Sequence, residues 1–277
     1  MIRADMHIHT YYSDGIQSPD DVVAAAKANG VNLISVTDHD NMCGSLQVAK
    51  AAKRSSLKVV DGEEISAYDG DVKVHILGYG MDAHCPANLD FHKKISEGAE
   101  ARCADILKKL SSGGINISLD EVRAERYCKD APLHAMYVAA AGAKKGYAGS
   151  PVDFYVRYLN YGRIGFSVIQ RPSPEETVRC IKQSGGFASL AHPGRITLPK
   201  EGVISLIERL NAVGLDGIEA VYSGHTDYET QYYEELAARY GLLVTGGSDT
   251  HAPGGNRKVG DPPFYPSEAL LAALKIL

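Results

Sequence analysis

The chain is poor in cysteine, and none of its cysteines is placed to act with a neighbour. Cys43, Cys85, Cys103, Cys128 and Cys180 are scattered, and no CxxC pair occurs. An odd, dispersed set argues against a disulfide framework and against a cysteine zinc site. No apolar run reaches the roughly 18 residues of a membrane-spanning helix, so no membrane partner is expected. Nor does the chain open on a charged segment followed by an apolar one, as a secretory signal would. The expected compartment is therefore a reducing cytoplasm. A long basic run is also missing: 29 Lys and Arg against 34 Asp and Glu leave a net charge of −5. Proteins that live on nucleic-acid backbone are usually more basic, which leaves only short nucleic acid open. Low-complexity tracts and internal repeats are absent too.

What is present is ordinary globular material. Of 277 residues, 44% are hydrophobic and 23% charged, which suits one large α/β domain or one carrying an insertion. Helix-like and strand-like segments alternate. "SPDDVVAAAKANG" has Ser18 as N-cap, Pro19 at the first helical position, acids in the first turn and Gly30 just past the end. "VNLISVTDHD" is an apolar strand that breaks into polar residues, and "LKVVDGEEIS" is another. "ISAYDGDVKVHILGYG" alternates around Asp69-Gly70, a hairpin signal. From about 85 to 165 no strong buried strand occurs and the pattern is helical, which reads as an insertion into a domain spanning 1–277. Alternation then resumes through "FASLAHPG", "DGIEAVYSG" and "LLVTGGSDTH" to a closing helix. About seven strands separated mostly by helices predict a largely parallel sheet, which can close into a barrel. In such barrels chemistry sits at the C-terminal strand ends.

The polar residues fall where that architecture would gather them. His7 and His9 end the first strand; Asp14 follows. Asp38, His39 and Asp40 end the second, Glu63 and Glu64 the third, and His75 lies in the fourth. His192 ends the fifth, Glu219 lies in the sixth, and Asp249 and His251 end the seventh. Residues i and i+2 on a strand share a side, so His7 with His9, and Asp249 with His251, can each aim two ligands at one point. Taken singly, each has an ordinary explanation. HxH occurs as satisfied polar groups, TDHD as a turn, SDTH as a cap region and His75 as a core histidine. The combination points instead to a metal centre. Its mixed imidazole and carboxylate donors suit manganese, zinc or iron.

"DMHIHTYYSDG", "SVTDHD", "DGEEIS", "KVHILGYG", "LAHPGR" and "GGSDTHAP" together resemble the polymerase and histidinol phosphatase (PHP) superfamily, over nearly the whole chain. The resemblance is strongest to its bacterial branch acting on nucleotides, including 3′,5′-bisphosphates and short RNA 5′ ends. It implies a distorted seven-stranded (β/α) TIM-like barrel, a helical insertion and two to three divalent ions, manganese foremost, with zinc or iron as alternatives. By motif, it implies that His7, His9, Glu64 and Asp249 hold one ion. Glu64 would bridge to a second, completed by His75 and His134. Asp14, His39 and His251 would hold a third. Glu64 is preferred over Glu63 because it directly precedes "IS".

The implied reaction is phosphoester hydrolysis by metal-activated hydroxide, with Glu64, Asp249 and His192 at its centre. Three ions against the charges of Asp14, Glu64 and Asp249 would leave the cluster near about +3, which draws a phosphate despite the acidic chain. His192 and Arg195 resemble substrate-phosphate contacts, and His192 is a candidate to protonate the leaving oxygen. Arg163 sits where relatives carry a basic residue near substrate. His225 falls near the mouth, on the substrate side, without a definable role. Asp38 and Asp40 flank His39 as candidates to orient it.

One departure stands out. Relatives often have Arg-x-His before the insertion histidine, and here Pro132 takes the arginine's place. Arg123, Arg126, Lys144 and Lys145 are nearby cations that either substitute for it or are solvated. The expected partner is a small phosphorylated substrate, a nucleotide or short RNA, with no protein partner required. Two other readings stay open: an amidohydrolase, which also begins with HxH on a barrel, and a non-catalytic metal-binding domain.

Overall fold

The computed structural model describes residues 1–168 and 171–276. It divides the chain into two compact units, one of Met1–Phe91 with Pro172–Leu277 and one of His92–Arg171.

The first unit is built on seven strands: β1 (Ala4–Ile8), β2 (Leu33–Val36), β3 (Lys58–Asp69), β4 (Val72–Tyr79), β5 (Phe187–Leu190), β6 (Gly217–Tyr222) and β7 (Leu243–Gly247). They lie side by side in chain order. The sheet is nearly closed. His9 N donates to Thr250 O at 2.9 Å and Asp249 N to His7 O at 2.8 Å, joining the end of β1 to the end of β7. The result is a distorted barrel with helices between its strands. It differs from the parallel expectation at one strand, because β4 runs antiparallel to both β3 and β5. The cause is local: Gly70 has φ +59°, and the tight turn it permits sends the chain straight back beside β3.

The strands carry Met6, Ile8, Leu33, Ile34, Val36, Ile65, Ile76 and Leu77, all fully buried. Around them pack α1 (Pro19–Ala28), α2 (Cys43–Ala52), α7 (Pro174–Gln183), α8 (Lys200–Ala212), α9 (Asp227–Tyr240) and α10 (Glu268–Ala273). The starts of α1, α7 and α9 are fixed by capping boxes, Ser18 with Asp21, Ser173 with Glu176 and Thr226 with Glu229. Each satisfies two otherwise unpaired backbone groups, and such caps are worth about 1 kcal/mol.

The second unit is helical. Helix α3 (Pro86–Ser112) begins in the first unit and runs on into it, followed by α4 (Leu119–Arg123), α5 (Ala135–Lys144) and α6 (Pro151–Phe154). Ile106, Leu110, Val122, Val138 and Phe154 form its own core. Cys85, Cys103 and Cys180 are free thiols. Among the described residues no helix is long and apolar enough to cross a membrane.

Candidate metal centre

The barrel seam places the first ligands. Because β1 and β7 meet at His7, His9, Asp249 and Thr250, the two H/D-x-H motifs face one another across it. Beyond β2 the chain stays beside β3: Asp40 N donates to Glu64 O at 3.0 Å and Glu64 N to Asp38 O at 3.2 Å. That bridge sets His39 next to Glu64. Three non-glycine residues at these strand ends, Asp40, His192 and Asp249, have φ of 56°, 25° and 52°. Such backbone costs about 1–3 kcal/mol each and persists only where the surroundings hold it.

Glu64 is the hub. Its Oε2 lies 3.3 Å from His7 Nε2, 3.2 Å from His9 Nε2 and 3.2 Å from His39 Nδ1. Its Oε1 lies 2.7 Å from His75 Nδ1 and 2.9 Å from His192 Nε2. Asp249 Oδ1 completes a set with His7 Nε2 at 3.5 Å and His9 Nε2 at 3.2 Å, and the two histidine nitrogens are 3.1 Å apart. Donors about 2.0–2.2 Å from one ion stand roughly 3.3–3.6 Å apart at tetrahedral angles and about 2.8–3.1 Å at right angles. The separations within the His7, His9, Glu64 and Asp249 set, 3.1–3.5 Å, fall within that range.

Two further sets adjoin the first. His9, Asp14, His39 and His251 form one, and His39, Glu64 and His75 the other; in each set the ligand atoms lie within 4.8 Å of one another. Buried nitrogens here lack hydrogen-bond partners: His9 Nδ1, His75 Nε2 and His192 Nδ1. A dry site normally pairs such atoms. Orphaned imidazole nitrogens beside clustered carboxylates are donors that fit divalent ions.

The electrostatics agree. Burial pushes His7 and His9 down, but carboxylates outweigh it. Glu219, Glu64 and Asp249 hold His7 well above its usual range, and Asp249 and Glu64 bring His9 to about 10. Burial opposes ionisation of Glu64, Asp14 and Asp249, yet the imidazoles around them hold all three below the ordinary carboxylate range. His39 is lowered by burial, and burial takes His75 down to about 3. A cluster that raises His7 and His9 in this way attracts positive charge, which a divalent ion would also supply.

A second ring of residues orients the first. Glu219, fully buried on β6, accepts from His7 Nδ1 at 2.8 Å and from His192 N at 2.8 Å. Asp249 Oδ2 accepts from Tyr222 OH at 2.9 Å, from Arg195 at 3.3 Å and from Arg257. Asp5 ties β1 to the far end of β7, accepting from Ser248 N at 2.9 Å and Gly260 N at 2.7 Å. Asp38 does not orient His39. Its carboxylate accepts from Thr10 N, Thr10 Oγ1 and Ser13 Oγ at 2.6–2.7 Å, fixing the loop that presents Asp14. Gly44 makes room for it, since a Cβ there would lie 1.8 Å from Asp38 Oδ2. Asp40 accepts from Ser66 N at 2.9 Å.

His225 also serves within the fold. Its Nδ1 donates to Ala220 O at 2.9 Å and its Nε2 accepts from Gly194 N at 3.2 Å, bracing the turn that carries His192 and Arg195. A cavity of about 370 Å³ opens over the cluster, with Arg195, Arg257 and Lys73 on its wall. Glu219 and Tyr222 hold candidate ligands, and Arg257 and Lys73 line the cavity; the motif reading assigned none of the four.

The remaining expected residues lie in the second unit. His134 is the N-cap of α5, its ring 3.7 Å from that of Tyr137. Arg163 is on an exposed turn. Arg123 pairs with Glu100 and Asp120, Lys144 with Glu125 and Lys145 with Glu121. Arg126 donates to Ala131 O at 3.1 Å. None of the four is an unengaged cation.

The chain is similar to known proteins along nearly its whole length. The PHP domain family model matches residues 5–93. A 3′,5′-nucleoside bisphosphate phosphatase of Chromobacterium violaceum is 34% identical over 94% of this chain and 91% of its own. A 5′-3′ exoribonuclease of Haemophilus influenzae is 29% identical over 91% of each. Among solved structures, a proposed metal-dependent phosphoesterase of Bifidobacterium adolescentis superposes with TM-score 0.81 at 26% identity, over 98% of this chain and 96% of its own. A Chromobacterium violaceum structure described as an amidohydrolase, with bound sulfate and no metal, gives TM-score 0.80 at 30% identity, with the same coverage. The chain belongs to the PHP-domain family of metal-dependent phosphoesterases.

Proposed function

We propose that this phosphoesterase hydrolyses a phosphate ester of a nucleotide, such as a 3′,5′-bisphosphate or the 5′ end of a short RNA, at a centre of three divalent ions, manganese foremost. The observation that carries this is Glu64, whose two oxygens face five imidazoles at 2.7–3.3 Å. One carboxylate so surrounded is suited to share itself between ions. His7, His9, Glu64 and Asp249 would hold the first, Glu64 with His75 the second, and Asp14, His39 and His251 the third. Bound there, divalent ions supply Lewis acidity toward the phosphate oxygens and a water whose pKa falls towards about 7.

The chain's own residues do the rest. Glu219 keeps the Nδ1 proton on His7, so that Nε2 presents its lone pair to the centre. Tyr222, Arg195 and Arg257 hold Asp249 Oδ2, which leaves Oδ1 turned to His7 and His9. Arg195, partly exposed at the cavity wall, contacts the substrate phosphate by its guanidinium. His192, on a backbone held by Glu219 and the His225-braced turn, donates its Nε2 proton to the leaving oxygen. The nucleotide class is supported by the relatives, a bisphosphate phosphatase and an exoribonuclease.

The neighbour described as an amidohydrolase favours a second reading, hydrolysis of amides or lactones. A panel separates the two. Adenosine 3′,5′-bisphosphate, 5′-phosphorylated oligoribonucleotides, AMP and histidinol phosphate are offered beside lactones and amides, with manganese. Phosphate release from a nucleotide substrate is expected. Turnover of amides or lactones alone would overturn the proposal.

A further inference from the structure

We propose that Lys73 forms a second-anion subsite at the mouth of the catalytic cavity, so that this enzyme selects phosphate esters carrying a further phosphate group. The inference rests on the phosphoesterase reading and concerns the part of the substrate that does not react.

The cavity wall holds three carboxylates, Asp14, Glu64 and Asp249, and three cations, Lys73, Arg195 and Arg257. The two arginines already have an anionic partner: both donate to Asp249 Oδ2, and Arg195 also donates to Tyr222 OH at 2.9 Å. Lys73 differs. Among the described residues no carboxylate forms an ion pair with it, and its side chain is exposed to solvent while lining the cavity. It stands on β4 two residues before His75, and so on the same face of the strand as a candidate ligand. Lys73 stands on β4 while Asp249 follows β7, three strands away in the sheet, so this ammonium and that carboxylate come from different parts of the wall.

Size and charge then suggest what it meets. A volume of about 370 Å³ lies in the range of cavities that hold whole small molecules, well beyond a bare phosphate. An ester whose reacting phosphate lies over Glu64 and Asp249 still has its remainder to place. An ammonium on a flexible stem is a point-charge phosphate ligand that needs no fixed geometry. A second phosphate at the rim would be its first anionic partner.

An alternative role for Lys73 is a general one, supporting the fold or the ion sites beside it, and that role would affect every substrate alike. Wild type, Lys73→Ala, Lys73→Arg and Lys73→Glu are therefore compared with manganese on phenyl phosphate, adenosine 3′,5′-bisphosphate and a 5′-phosphorylated dinucleotide. Manganese affinity is measured in parallel by chelator competition. The ratio of kcat/KM for a two-phosphate substrate to that for phenyl phosphate should fall about tenfold in Lys73→Ala, the scale of one charged hydrogen bond. It should fall further in Lys73→Glu and largely return in Lys73→Arg. A fall confined to the bisphosphate assigns the subsite to a terminal phosphate, and one confined to the dinucleotide assigns it to a phosphodiester. A ratio within twofold of wild type, whatever the absolute loss, overturns the subsite while leaving the phosphoesterase reading intact. Absence of phosphate release by wild type from all three esters overturns both.

Discussion

Replacing Glu219 by Gln should weaken the centre's hold on its ions by about 10- to 100-fold, although Glu219 is not itself a candidate ligand. Its two oxygens take one donor each, His7 Nδ1 and the backbone N of His192, both at 2.8 Å and buried. The first bond fixes the ring orientation and tautomer that leave His7 Nε2 facing Glu64 and Asp249. A hydrogen bond to a charged acceptor contributes about 1.5–3 kcal/mol, which at 1.4 kcal/mol per decade is about 10- to 100-fold in affinity. Gln keeps the shape but has a single carbonyl, so its amide NH₂ must oppose one of the two donors. Ala removes both acceptors and strands the His192 N–H beneath a backbone already at φ 25°. It should cost a further ~1–3 kcal/mol in folding stability. Competition against a chromophoric chelator reads the affinity, and thermal melting of the chelated protein reads the stability. A Glu219→Gln protein that binds manganese as tightly as wild type would refute the reasoning.

Other outcomes follow from the same geometry. Because Asp249 and Glu64 outweigh burial and raise His9 to about 10, and His7 is also raised, ions must displace protons at neutral pH. Affinity should rise about tenfold per pH unit for each proton displaced, and calorimetry in two buffers of different ionisation enthalpy should count about two protons released; none released would contradict this. In chelated protein the raised His9 contributes stability that is complete below its unfolded value of about 6.5 and is lost as pH rises through about 10, so the melting temperature should fall between about pH 6.5 and 10. Gly44→Ala places a methyl against Asp38 and Thr10, and should cost about 1–3 kcal/mol by melting and lower the number of bound ions by loosening the Asp14 loop. His225→Ala should raise KM for phosphate esters several-fold by freeing the Gly194 turn that carries Arg195, with ion content unchanged by elemental analysis.

Much of this was legible before any coordinates, because strand-end motifs have a fixed geometric meaning. HxH and DxH at i and i+2 point one way whatever the rest of the chain does, and the barrel needed only to bring β1 and β7 together. The reversed β4 was foreshadowed by Asp69-Gly70, although the alternation of helices and strands favoured a parallel sheet. Asp38 was read from its neighbour in sequence, whereas its carboxylate turns to Thr10 and Ser13 across the β1 loop. Glu219 had a signal, a lone carboxylate inside the apolar "GIEAVY". Lys73 had one too, sharing a strand face with His75. Arg257 had none, because it lies in a glycine-rich loop with no period to orient it. For His134 and Arg163 the expected roles rest on the family resemblance.

The central claim is that the His, Asp and Glu sets around Glu64 hold the ions that make this chain a phosphoesterase. The direct measurement follows phosphate release from adenosine 3′,5′-bisphosphate while manganese is titrated into chelated protein and bound ions are counted in the same samples. Release should rise with occupancy up to three ions, vanish again on chelation, and fail in Glu64→Ala together with loss of ions. Full release from protein holding no ions, or none from protein holding three, would contradict the account.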